Sequence, residues 1–98
     1  MTTAFREVSE LRVSQLDKHL YGYEVTHGHT VLFGDEGFAG VAEALLDAAG
    51  EGKDLLGLQV SYQGIVAGTY LPGELMQASE GVADLCIANS AKFAFNGV

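Results

Sequence analysis

YGYEVTHGHTVLFGDEGFAGVAEALLDAAG, residues 21–50, holds two periodicities joined by a corner. In its first part Tyr21, Val25, Val31 and Phe33 fall on odd positions, with Glu24, Thr26 and Thr30 between them. That period of two is the pattern of a half-buried strand. His27-Gly28 in the middle suits a two-residue hairpin turn, because glycine supplies the positive φ such turns need. A hairpin and one long strand both fit the alternation, and the hairpin is favoured. Gly34-Asp35-Glu36-Gly37 then breaks the pattern. Asp35 reads as a helix N-cap, and carboxylates in a first turn suit the positive end of the helix dipole.

The second part predicts a helix over about 38–49. At about 100° per residue, Phe38, Val41, Ala42, Leu45, Leu46 and Ala49 share one apolar arc. Glu43, Asp47 and Glu51 fall opposite, spaced i, i+4, i+8, and Asp54 joins them if the last turn reaches further. Gly50 and Gly52 end the helix, as glycine does at helix C-termini. Like charges four residues apart destabilise a helix by a few tenths of a kcal/mol. An acidic ridge without an interposed base is therefore the first candidate for a functional surface. With the acids of the corner, the candidate partner-binding set is Asp35, Glu36, Glu43, Asp47, Glu51 and Asp54.

Outward from this stretch, a strand is expected at about 8–16, at a sheet edge, where Leu11 and Val13 alternate. Phe5, Val8 and Leu16 are the other apolar residues of that region, and a helical turn near its start is the alternative. A polar loop follows the helix, then a strand through Leu55–Tyr62, a turn at Gln63-Gly64 and a returning strand over 65–71. Pro72-Gly73 closes it, since proline cannot sit inside a central ladder. The last third predicts a helix over 73–82, with Leu75, Met76 and Val82 inward, followed by a terminal hairpin. Asn89-Ser90 is its turn and Lys92-Phe93-Ala94-Phe95 its closing strand.

Residues 18–26, KHLYGYEVT, align without gaps on residues 53–61, KDLLGLQVS. Each copy leads into a glycine turn, a second strand and a helix. The expected architecture is thus one α+β domain spanning 1–98: an antiparallel sheet of β-hairpins with one or two helices on one face. An internal ββα duplication, about 18–52 and 53–90, is the accompanying hypothesis.

Composition narrows function more by exclusion than by motif. The chain has 98 residues, 48% of them hydrophobic, which suits a globular domain with its own core. Thirteen acids face five bases for a net charge of −8. Such a field repels nucleic acid and anionic membranes and attracts cationic surfaces, although solubility alone also favours net negative charge. One cysteine, Cys86, cannot form an internal disulfide, and no leader pattern or bilayer-length apolar run is present. A cytoplasmic location is expected.

Catalytic and metal signatures are weak. His27 and His29 would share one face of a continuous strand, but zinc wants three or four ligands. Cys86, Asp35 and His19 would complete a set only by an arrangement that spacing does not specify, and His27 reads as a turn residue. Cys86 lies between Leu85 and Ile87, the setting of a buried, inert thiol. The 13 glycines form no phosphate-binding pattern. No cofactor is expected, and a small enzyme using histidine and carboxylates ranks third.

Successive ridge acids advance about 6 Å along the helix axis, of the order of the phosphate spacing of a nucleic-acid strand, one per 3.4 Å. A basic groove built for nucleic acid would accept such a face as a decoy. The expected function is therefore a non-enzymatic acidic binding module. Its concrete form is an inhibitor of a nucleic-acid-binding complex, of the phage anti-defence type. The alternative is a homo-oligomeric structural or assembly protein, in its simplest form a homodimer, joined through strand edges and the aromatic residues Tyr21, Tyr23, Tyr62, Tyr70, Phe93 and Phe95.

Overall fold

A computed structural model describes residues 8–96. Phe5, and the side chains of Phe93 and Phe95, lie outside the described residues. The chain forms β1 (Ser9–Asp17), β2 (Leu20–His27), β3 (Thr30–Phe38), α1 (Val41–Glu51), β4 (Leu58–Tyr62), β5 (Ile65–Tyr70) and α2 (Pro72–Asn96). It is an α+β fold: a five-stranded sheet, ordered β3-β2-β1-β4-β5, with both helices packed against it.

The hairpins follow from their turns. Gly28, at φ +63°, opens the β2–β3 turn, and His27 pairs with Thr30, so the turn residues are Gly28-His29 rather than His27-Gly28. Alternation alone leaves a turn free to slide by one residue; the glycine's positive φ at the first turn position fixes it. Gln63 and Gly64, at φ +53° and +84°, make the β4–β5 turn at its expected place.

β1 is the centre of the sheet, not an edge. It lies antiparallel to β2 and parallel to β4, so the sheet is mixed at this one pairing. Ser9, Leu11 and Val13 are buried on the helix side, whereas Arg12 and Ser14 on the other side are exposed. A central strand covered on one face keeps the alternation of an edge strand, so pattern alone does not distinguish the two.

β3 runs through the expected corner. Gly34, Asp35 and Glu36 pair with Glu24, Tyr23 and Gly22. Asp35 is therefore a strand residue and not an N-cap; that position belongs to Gly40, which makes no side-chain cap. Glu43 substitutes, its Oε1 accepting from the backbone N–H of Ala39 at 3.0 Å. Glu74 does the same for α2, accepting from the Leu71 N–H at 3.1 Å, with Pro72 in the first helical position.

α2 replaces both the short helix and the terminal hairpin expected after Pro72. It continues to Asn96 with a kink at Ala78. Leu75, Ser79, Val82, Ala83 and Cys86 are buried at helical spacing, and Met76, expected inward, is 42% exposed. Burial of that stripe against the sheet and α1 outweighs the turn propensity of Gly81 and Asn89-Ser90. No helix among the described residues is long and apolar enough to cross a membrane.

After β1, the chain runs strand–strand–helix twice, as β2-β3-α1 and β4-β5-α2, and the β2–β3 and β4–β5 hairpins flank β1 on opposite sides. The aligned pairs Tyr23/Leu58 and Val25/Val60 are all buried.

Candidate functional site

α1 meets the core through Val41, Ala44, Leu45, Ala48 and Ala49. Two alanines thus take the place expected of Leu46, which is 46% exposed. Small residues let the helix sit close to α2 and the sheet, which rotates the buried arc toward Ala44 and Ala48. Of the ridge acids, Asp47 is half-buried and reaches β2, while Glu43 and Glu51 remain exposed. All three lie beside Phe38, the last residue of β3.

There they line one open groove of about 410 Å³ with Phe38, Leu46 and Gly50. Phe38 is its aromatic member and packs against the buried Tyr23. Tyr23 stacks at a tilt on Phe38, with ring centroids 5.7 Å apart, and meets Phe33 edge-on at 6.1 Å. The buried Tyr23 donates its hydroxyl proton to Asp47 Oδ2 at 2.7 Å. Burial, then that hydrogen bond, then the negative charges of Asp47, Asp35 and Glu51 push the Tyr23 hydroxyl well above its ordinary pKa. Asp35 and Glu51 therefore act on the same point in space as Asp47.

The structure divides the six sequence-derived acids. Glu43, Asp47 and Glu51 share the groove; Asp35, opposite Tyr23 in the sheet, does not line it but adds its charge at the Tyr23 hydroxyl. Glu36 pairs with Gly22 and faces the uncovered side of the sheet, with Glu24 and Arg12. Asp54 lies in the turn beyond Gly52, which caps α1, so it does not extend the ridge. Leu46 and Phe38 are the groove members that sequence reasoning missed, along with Tyr23, the hydrogen-bond partner of Asp47. The first two sit in the apolar arc of an ideal helix, and nothing in the spacing announces that Tyr23 reaches Asp47.

Other chemistry is sparse. Cys86 is buried and free, and burial pushes its thiol up to about 11. Burial likewise raises the Tyr62 hydroxyl beside Tyr21. His19 occupies the β1–β2 turn at φ +70° and His29 the next turn. Among the described residues no three His, Cys, Asp or Glu gather as a metal site. No protein-family model, curated protein or solved structure matches the chain.

Proposed function

We propose that the chain is a non-enzymatic binding module whose acidic groove receives a basic protein surface. One observation carries this reading. Glu43, Asp47 and Glu51 line a single groove with the half-exposed Leu46 and with Phe38, and among the described residues no base lines it. A cationic side chain with an aliphatic stem matches both parts of that surface. Asp47 is held by Tyr23, so at least one acid is positioned before the partner arrives. The concrete partner is a nucleic-acid-binding protein whose basic groove the acids occupy, which makes the chain an inhibitor.

Self-assembly through aromatic residues has less to support it. Tyr23 and Tyr62 are buried, and Tyr21 and Tyr70 pack against the core.

The test is affinity capture from host lysate with wild type and with a Glu43→Gln, Asp47→Asn, Glu51→Gln variant. Each change removes a charge, and those at 43 and 47 keep an acceptor oxygen for the Ala39 N–H and the Tyr23 hydroxyl. The reading predicts a basic partner released by about 0.5 M salt or by competing DNA, and lost in the variant. Identical capture by both proteins refutes it.

A further inference from the structure

β3 has β2 on one side and, among the described residues, no strand on the other. The open side of an edge strand offers backbone donors and acceptors to a passing chain. What distinguishes this edge is its position between two grooves on opposite faces of the sheet. On the helix side lies the groove of Asp47 and Glu51, and the Asp35 charge acts with theirs on the Tyr23 hydroxyl. On the uncovered side is a second, of about 580 Å³, whose lining includes Gly22, Glu24, Gly34, Asp35 and Glu36. Arg12, the base in that second groove, is paired with Glu10.

We infer that this edge takes an extended basic segment of the partner protein as a sixth strand, its alternate side chains entering the two acidic grooves. The inference rests on the acidic-module reading and names the form of the partner. Successive side chains of a strand point to opposite faces. A lysine- or arginine-bearing strand beside β3 therefore meets carboxylates on both faces without bending. Bulges at Leu32 and Gly37 leave Phe33–Glu36 as the regular length, so the docked strand is short.

The same features choose among occupants. A second copy paired two-fold at this edge would set the acidic segment Asp35-Glu36 close to its own equivalent, and like charges across a strand pair are destabilising. The opposite edge, β5, carries no acid and is blunted. The Val60/Ser61 register shift skips Ala67, Gly68 stands at φ +145°, and the Tyr70 hydroxyl donates to the Ala67 carbonyl at 3.4 Å.

The probe is an eight-residue peptide alternating lysine and threonine, set beside a peptoid with the same side chains and no backbone N–H. Hydrogen exchange is read at every amide in low salt. The expected result is about tenfold slower exchange within Phe33–Glu36 on saturation with the peptide, and at least tenfold weaker binding of the peptoid. Equal binding of the two without protection at β3 overturns the added strand and leaves the acidic groove standing as a charge-only site. Protection along Ile65–Tyr70, or a doubling of mass on sedimentation, overturns it in favour of the other edge or a second copy. Failure of both probes to bind overturns this inference and the acidic-module reading together.

Discussion

The hydroxyl of Tyr23, in the second strand of the sheet, donates to Oδ2 of Asp47, on the helix packed above it, across 2.7 Å. Tyr23 is 7% exposed, so its O–H has little access to water and depends on that carboxylate. A hydrogen bond to a charged acceptor contributes about 1.5–3 kcal/mol, and the half-exposed Asp47 brings it toward the lower figure. Tyr23→Phe is expected to cost about 1–2 kcal/mol in urea unfolding. A double-mutant cycle with Asp47→Ala should show coupling of about 1 kcal/mol, and additive single effects would disprove the link.

That bond also sets an alkaline limit. An unfolded tyrosine titrates near 10, whereas the folded Tyr23 holds its proton to higher pH, first through burial and then through Asp47. Above about pH 10 the unfolded chain sheds a proton that the native chain keeps. The stabilisation is therefore complete below pH 10 and declines as the pH rises past it. Tyr62 acts in the same direction. Unfolding free energies at pH 8 and pH 11 should differ less for Tyr23→Phe than for wild type.

Adjacent leucines of α1 test which side of the helix is buried. Leu45 is fully buried and Leu46 is half-exposed. Leu45→Ala should cost about 2–4 kcal/mol, while Leu46→Ala should cost under about 1 kcal/mol. Equal losses would put the ideal-wheel orientation back in force.

Two glycines should respond to alanine with opposite signs. A Cβ on Gly81, within α2, meets no atom within 4 Å, so Gly81→Ala is expected to add about 0.5–1 kcal/mol. A Cβ on Gly34 would stand 2.8 Å from the Tyr23 carbonyl oxygen, forcing β2 and β3 apart. Thermal melts should rise for the first variant and fall for the second.

The thiol of Cys86 should be nearly silent in the native state. With its pKa raised to about 11 by burial, the thiolate is scarce at pH 8. Alkylation by iodoacetamide at pH 8 should be about a hundredfold slower than in urea. Comparable rates would mean that the second half of α2 opens readily.

The fold class was legible because the hairpin turns and the α1 amphipathicity are local signals. Gly28 and Gly64 mark their turns, and Leu11 and Val13 mark the inward face of β1. What escaped reading depends on distant partners. β1 is central because β4 arrives beside it from the other half of the chain. Gly34–Gly37 looks like a corner, yet β2 recruits it into a long strand. Residues 83–88 suit the end of a helix and a strand equally, and the burial of Ala83 and Cys86 one turn apart decides for the helix. The three groove acids were visible from their spacing. The reach of Asp47 to Tyr23 was not, since it depends on how α1 settles on the sheet.

The central place of β1 has a kinetic consequence. The three hairpins and both helices close on contacts between near neighbours, but Ser9 finds its place beside Leu58 only when half the chain has followed it. During synthesis β2, β3 and α1 emerge with β1 already attached and its far edge bare. Until β4 and β5 dock, that edge is the exposed template, and afterwards it is the seam of the sheet. The late step of folding is thus the joining of two locally formed halves across one parallel ladder, the slowest kind of contact to find. Substitutions in Leu11 or Val60 should slow refolding out of proportion to those in any hairpin turn.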